Sequence, residues 1–141
     1  MPATTKHFVC WMGETFKRRL TLVDSAGTAI NLTGATAMLQ VRESVGGTVI
    51  FDLDESAGIT LGGAAGTIDI EISAANTAAA DVATLTSATV VDHIKADGVE
   101  MSGTGPTGVW GIEITWTDDS VTREAEGNFC FVAERVQAVV P

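Results

Sequence analysis

Apolar and polar residues alternate in short runs along most of the chain, and each run ends at a cluster of turn-forming residues. Over residues 15–23, Phe16, Leu20 and Leu22 fall on one face of a two-residue period, with Arg18 interrupting that face, which predicts a strand. Asp24-Ser25-Ala26-Gly27 follows, a reversal in which Asp bonds its own backbone and Gly supplies a positive φ. Ala37, Leu39 and Val41 alternate with Met38, Gln40 and Arg42 in a second, half-buried strand. Beyond Gly46-Gly47, Val49, Phe51 and Leu53 form the inward face of a hairpin partner, which leaves Asp52 and Asp54 to solvent.

Ile59-Thr60-Leu61 is set apart by Gly58 and by Gly62-Gly63-Ala64-Ala65-Gly66. Ile68, Ile70 and Ile72 then give the clearest alternation in the chain and are expected in the core. Ser73 and Asn76 are cap candidates at an Ala-rich run, which predicts one short helical turn. Residues 109–116 alternate again, Thr117-Asp118-Asp119-Ser120 makes a turn, and residues 121–126 and 127–132 return as strands. Residues 85–108 read less clearly: 88–94 are strand-like, but Asp97-Gly98 and the stretch 103–108 carry turn signals, so a protruding hairpin or a loop is expected there. Many short strands with turns at regular spacing predict one all-β domain over residues 1–141, an antiparallel β-sandwich rather than a barrel.

A chain of 141 residues buries a continuous core without metal or disulfide support. Its 45% hydrophobic content excludes a disordered tail. Eight basic residues stand against 18 acidic ones, a net charge of −10, so a phosphate backbone is not an expected partner. No run approaches the roughly 20 apolar residues that span a bilayer, and no leader pattern precedes the first alternating segment. No membrane partner and synthesis in a cytoplasm are therefore expected. Cys10 and Cys130 are expected reduced and buried, although first and last strands that lie side by side leave a bridge open.

The inventory for catalysis is thin: two His, two Cys and no Tyr. His7 and His93 read as surface or packing residues. Asp52-Leu53-Asp54-Glu55 lacks the glycine and closing glutamate of a calcium loop, and residues 62–66 lack the lysine of a phosphate-binding loop. The expectation is no catalytic residue, no cofactor and no metal. Trp110 and Trp116 share a parity and, with Trp11, serve either as a sugar-stacking platform or as core and interface residues, which their exposure distinguishes. Lys17 and Arg19 point outward together as a solvated face, or toward an acidic neighbour in an assembly.

The order of these segments is more informative than any one of them. Gly13-Glu14-Thr15-Phe16 before a strand, residues 24–34 after it, Ala37-Met38-Leu39-Gln40-Val41-Arg42, Gly58-Ile59-Thr60-Leu61, residues 66–73, Trp110-Gly111-Ile112-Glu113-Ile114 and the closing Gly127-Asn128-Phe129-Cys130-Phe131-Val132 resemble the immunoglobulin-like domains of bacteriophage tail and baseplate proteins. The chain is similar in particular to the N-terminal domain of baseplate upper proteins, over most of residues 12–136, and departs from that pattern at 85–108. The resemblance implies an immunoglobulin-like sandwich with one helical turn and an inserted hairpin or loop. It also implies a non-enzymatic virion part, assembled in the bacterial host cytoplasm, whose partners are other virion proteins and copies of itself. Residues outside the matched core are the expected contact regions: the arm 1–11, above all 3–11, the insertion around His93 to Pro106, and the tail 137–141. A capsid decoration or head-tail joining protein and a carbohydrate-binding module remain alternatives.

Overall fold

Ten strands, one short α-helix and one 3-10 turn (Gly63–Ala65) form in the computed structural model, which describes residues 4–96 and 99–133, and side chains outside 93–101. In chain order these are β1 (Thr4–Thr5), β2 (Phe8–Trp11), β3 (Phe16–Thr21), β4 (Thr36–Arg42), β5 (Val49–Asp54), β6 (Ile59–Leu61), β7 (Thr67–Ile72), α1 (Ala74–Ala78), β8 (Thr86–Ala96), β9 (Val99–Thr115) and β10 (Val121–Val132). The chain is all-β, as its alternation predicts. A large sheet runs β1-β10-β9-β4-β5, with β2 also on β10 and β8 on β9, and a small sheet runs β3-β7-β6.

Inward residues of both sheets share one core. Phe16 and Leu20 of β3 and Ile68, Ile70 and Ile72 of β7 join Ala37, Leu39 and Val41 of β4, Ile112 and Ile114 of β9, and Phe129 and Phe131 of β10. Burying each large aliphatic side chain here contributes roughly 1.5–3 kcal/mol, so the three isoleucines of β7 alone anchor the small sheet. The turn at Asp24 forms as read: its carboxylate accepts from the Ala26 and Thr28 amides, and Gly27 has φ +82°. Ser73 caps α1 by accepting from the Asn76 amide, and the buried Thr77 hydroxyl accepts from the Gly13 amide, which ties the helix to the β2–β3 turn.

The structure corrects the sequence reading in four places. Val49 is 38% exposed rather than inward, because Ile50 is an extra residue in the β4–β5 ladder: Val41 pairs with Phe51 but Arg42 pairs with Val49. Residues 121–126 and 127–132 are one strand, β10, with a bulge between Arg123 and Ala125. The sheets are not wholly antiparallel, since β1 and β2 both run parallel to β10. The segment 4–11 is therefore not an arm outside the core: Phe8, Val9 and Cys10 are buried.

Residues 86–96 and 99–107 pair as antiparallel hairpin arms, as anticipated, but they do not simply protrude. β9 continues unbroken from the hairpin into the sheet, and β8 packs against β2 and β10. Val90 closes a second cluster with Val9, Cys130 and Val132, on the sheet face opposite the main core. Gly105 permits the crossing, because a Cβ there would lie 2.0 Å from the Phe131 carbonyl oxygen.

Candidate functional site

Three places in the fold bring polar side chains together or leave apolar ones exposed: the seam between β2, β3 and the hairpin, the ladder on the small sheet, and the outer face of the large sheet. At the seam, Asp92 Oδ2 accepts from the Val9 amide at 2.9 Å and from Arg18 Nε and Nη2 at 3.0 and 2.8 Å. Arg18 Nη2 also donates to the Val9 carbonyl at 2.9 Å. Asp92 is fully buried, and the Arg18 guanidinium lies 4.5 Å from the Phe16 ring centroid. Arg18 breaks the apolar parity of β3 because its inward position faces this carboxylate.

On the small sheet, Lys17 meets Glu71 at 3.2 Å and Arg19 meets Asp69 at 2.6 Å, each directly across the β3–β7 ladder. The acidic neighbours of the basic cluster thus lie in the same chain. Hydrogen bonding from Arg19 holds the Asp69 carboxyl below its ordinary range, with desolvation opposing.

The outer face of the large sheet is built in rows set by the registers. Met38, Glu113 and Arg123 form one row, Gln40, Gly111 and Glu126 the next, and Val49, Arg42, Val109 and Asn128 the third. Gly111 leaves a hollow of about 360 Å³ at the centre of this face. Met38 is 46% exposed. Arg42 donates to Gln40 Oε1 and to the Gly47 carbonyl, and neither Arg42 nor Glu113 belongs to an ion pair among the described residues. Arg123 and Glu126 pair loosely at 3.8 Å.

The remaining candidates fall as follows. Trp110 is 3% exposed, stacks on Phe8 at 4.4 Å between centroids and donates its indole N–H to the Lys6 carbonyl. Trp116 donates to Thr122 Oγ1 and is half-buried, and Trp11 leans on the second cluster. A sugar platform of paired exposed indoles is therefore not present at Trp110 and Trp116. His7 accepts at Nδ1 from the Asn128 amide, which fixes the N-terminal segment on β10. The side chain of His93 and the tail 137–141 lie outside the described residues, as does Ala3.

Cys10 and Cys130 are free and buried on adjacent strands, yet Cys10 registers with Phe131 and Cys130 with Val9. That one-residue offset puts the two thiols on opposite faces of the sheet. Burial pushes the Cys10 thiol up to about 12, against a smaller opposing effect of Arg18, and burial raises Cys130 as well. Neither is poised as a nucleophile. Among the described residues no group of three His, Cys, Asp or Glu side chains is arranged to hold a metal ion.

Sequence reasoning did not single out Asp92, although it shares a parity with Val90, nor Gly111, a glycine inside an otherwise apolar-alternating strand. Those patterns were the available signals. No protein-family model matches the chain, and no curated protein matches it.

Proposed function

We propose that this protein is a non-enzymatic structural component of a tailed bacteriophage virion, which joins or decorates tail or baseplate components through protein-protein contacts on an immunoglobulin-like scaffold. Strand order supports the scaffold, and the sequence resemblance supports the virion role. The order β10-β9-β4-β5 in one sheet and β3-β7-β6 in the other is the order expected of the G-F-C-C′ and B-E-D sheets of a variable-type immunoglobulin sandwich, which supports that scaffold. The hairpin of β8 and early β9 is then an insertion between strands E and F. The segments that resemble phage tail and baseplate domains supply these same strands and turns. A rigid scaffold of this kind acts by geometry: it holds faces and edges in fixed orientation, and symmetry multiplies modest contacts into a stable assembly.

The test is the solution mass by light scattering, first of the protein alone and then with isolated tail, baseplate and capsid components. A shift on mixing with a tail or baseplate component supports the proposal. A shift with capsid or head-tail components alone moves the protein to decoration or joining of the head. A 14.6 kDa species that binds none of them overturns the virion reading.

A further inference from the structure

We infer that the outer face of the large sheet, centred on Gly111, is the interface of a two-fold homodimer. The starting observation is a strand glycine with open space where a Cβ would stand. The other strand glycines, Gly103, Gly105, Gly108 and Gly127, each have a neighbouring atom within 2.6 Å of where a Cβ would stand. At Gly111 the nearest atoms, the Ala125 carbonyl oxygen and Glu126 Cβ, are both 3.9 Å away, and its φ is not positive. Glycine inside a strand costs roughly 0.5–1 kcal/mol relative to alanine and often marks a bulge or a close approach by a ligand or another backbone; the β10 bulge between Arg123 and Ala125 lies beside Gly111 but leaves the space over it open.

The face around the hollow is complementary to itself. Arg42 stands in the row of Val109, and Glu113 stands four residues further along β9, about 14 Å away at strand spacing. Gly111 lies midway between the two rows. A two-fold axis lying across the strands at Gly111 exchanges these rows between copies. It brings the Arg42 end of each copy over the Glu113 end of the other, and exposed Met38 over the row that holds Arg42 between exposed Val49 and half-buried Val109. Both charges lack an ion-pair partner within the chain among the described residues. Each copy carries −10, whereas on this face Arg42 and Arg123 balance Glu113 and Glu126. The isologous arrangement closes, as a two-fold interface must. The inference stands on this face alone and does not depend on the virion reading.

Sedimentation of the purified chain over a wide concentration series is expected to show a dimer of twice 14.6 kDa. Arg42→Glu and Glu113→Arg each place like charges together and are expected to weaken self-association by more than about tenfold. Mixing the two variants restores dimers, because the heterodimer has an opposite-charge pair at both ends. Met38→Lys, at an exposed side chain, is expected to weaken the dimer while leaving the melting of the monomer unchanged, and it serves if an Arg42 variant fails to fold. A wild-type monomer at every concentration overturns the inference. So do dimers indifferent to these substitutions, or folded charge variants that fail to recover on mixing.

Discussion

Arg18 and Asp92, 74 positions apart, together occupy both outward hydrogen-bonding groups of Val9: the carboxylate takes its amide and the guanidinium takes its carbonyl. β2 lies beside β10 on its inner side, so this pair seals the edge of the large sheet where another strand would otherwise add. The buried pair also fastens the hairpin to the domain, which links an edge-blocking device to the placement of an insertion.

Removing one partner of this pair leaves a charge and a backbone donor uncompensated. Asp92→Ala is expected to lower stability by about 3–5 kcal/mol, read as a fall in the urea midpoint. The double variant Arg18→Leu with Asp92→Leu is expected to lose less than the sum of the two single changes. Strict additivity would show that the two side chains act independently.

Two glycine substitutions of the same size are expected to act in opposite directions. Gly105→Ala forces a Cβ onto the Phe131 carbonyl and is expected to destabilise by at least about 1–3 kcal/mol. Gly111→Ala meets open space, and thermal melting of the monomer should show it neutral or stabilising by up to about 1 kcal/mol. A loss of stability at Gly111 comparable to that at Gly105 would mean that the fold itself requires the glycine.

Both thiols are expected to resist a disulfide reagent in the native protein and to react together once denaturant unfolds it. Burial depresses the thiolate fraction at Cys10 and Cys130, and their opposite-facing positions prevent a bridge within the chain. Rapid labelling of either residue under native conditions would contradict this placement.

Asp54 and Asp118 occupy equivalent turns, each accepting from the hydroxyl and amide of a serine two residues on. The serine hydroxyl is the main cause holding each carboxyl below its ordinary value of 3.8. Because the folded value is the lower one, the stability these turns contribute is present above the ordinary carboxylate range and is lost as pH falls through the depressed values. Carboxyl NMR titration should place both midpoints below 3.8, and Ser120→Ala should move Asp118 upward without affecting Asp54.

Local alternation and turn chemistry determined much of this protein from sequence alone. Ile68, Ile70 and Ile72 face inward because a two-residue period admits only one inward parity, and Asp24 with Gly27, or Ser73 with Asn76, write a turn and a cap over a few residues. Relations between distant segments were decided only by the tertiary structure. The parity of Val49 depends on a bulge defined against β4, and the opposite facing of Cys10 and Cys130 depends on a register between the first and last strands. Arg18 looked like an interruption until Asp92 was brought to it, and Gly111 looked like any glycine until its neighbours proved distant. Periodicity reports which side of a strand a residue lies on, whereas what lies beyond that side is set by the packing of chain segments far apart in sequence.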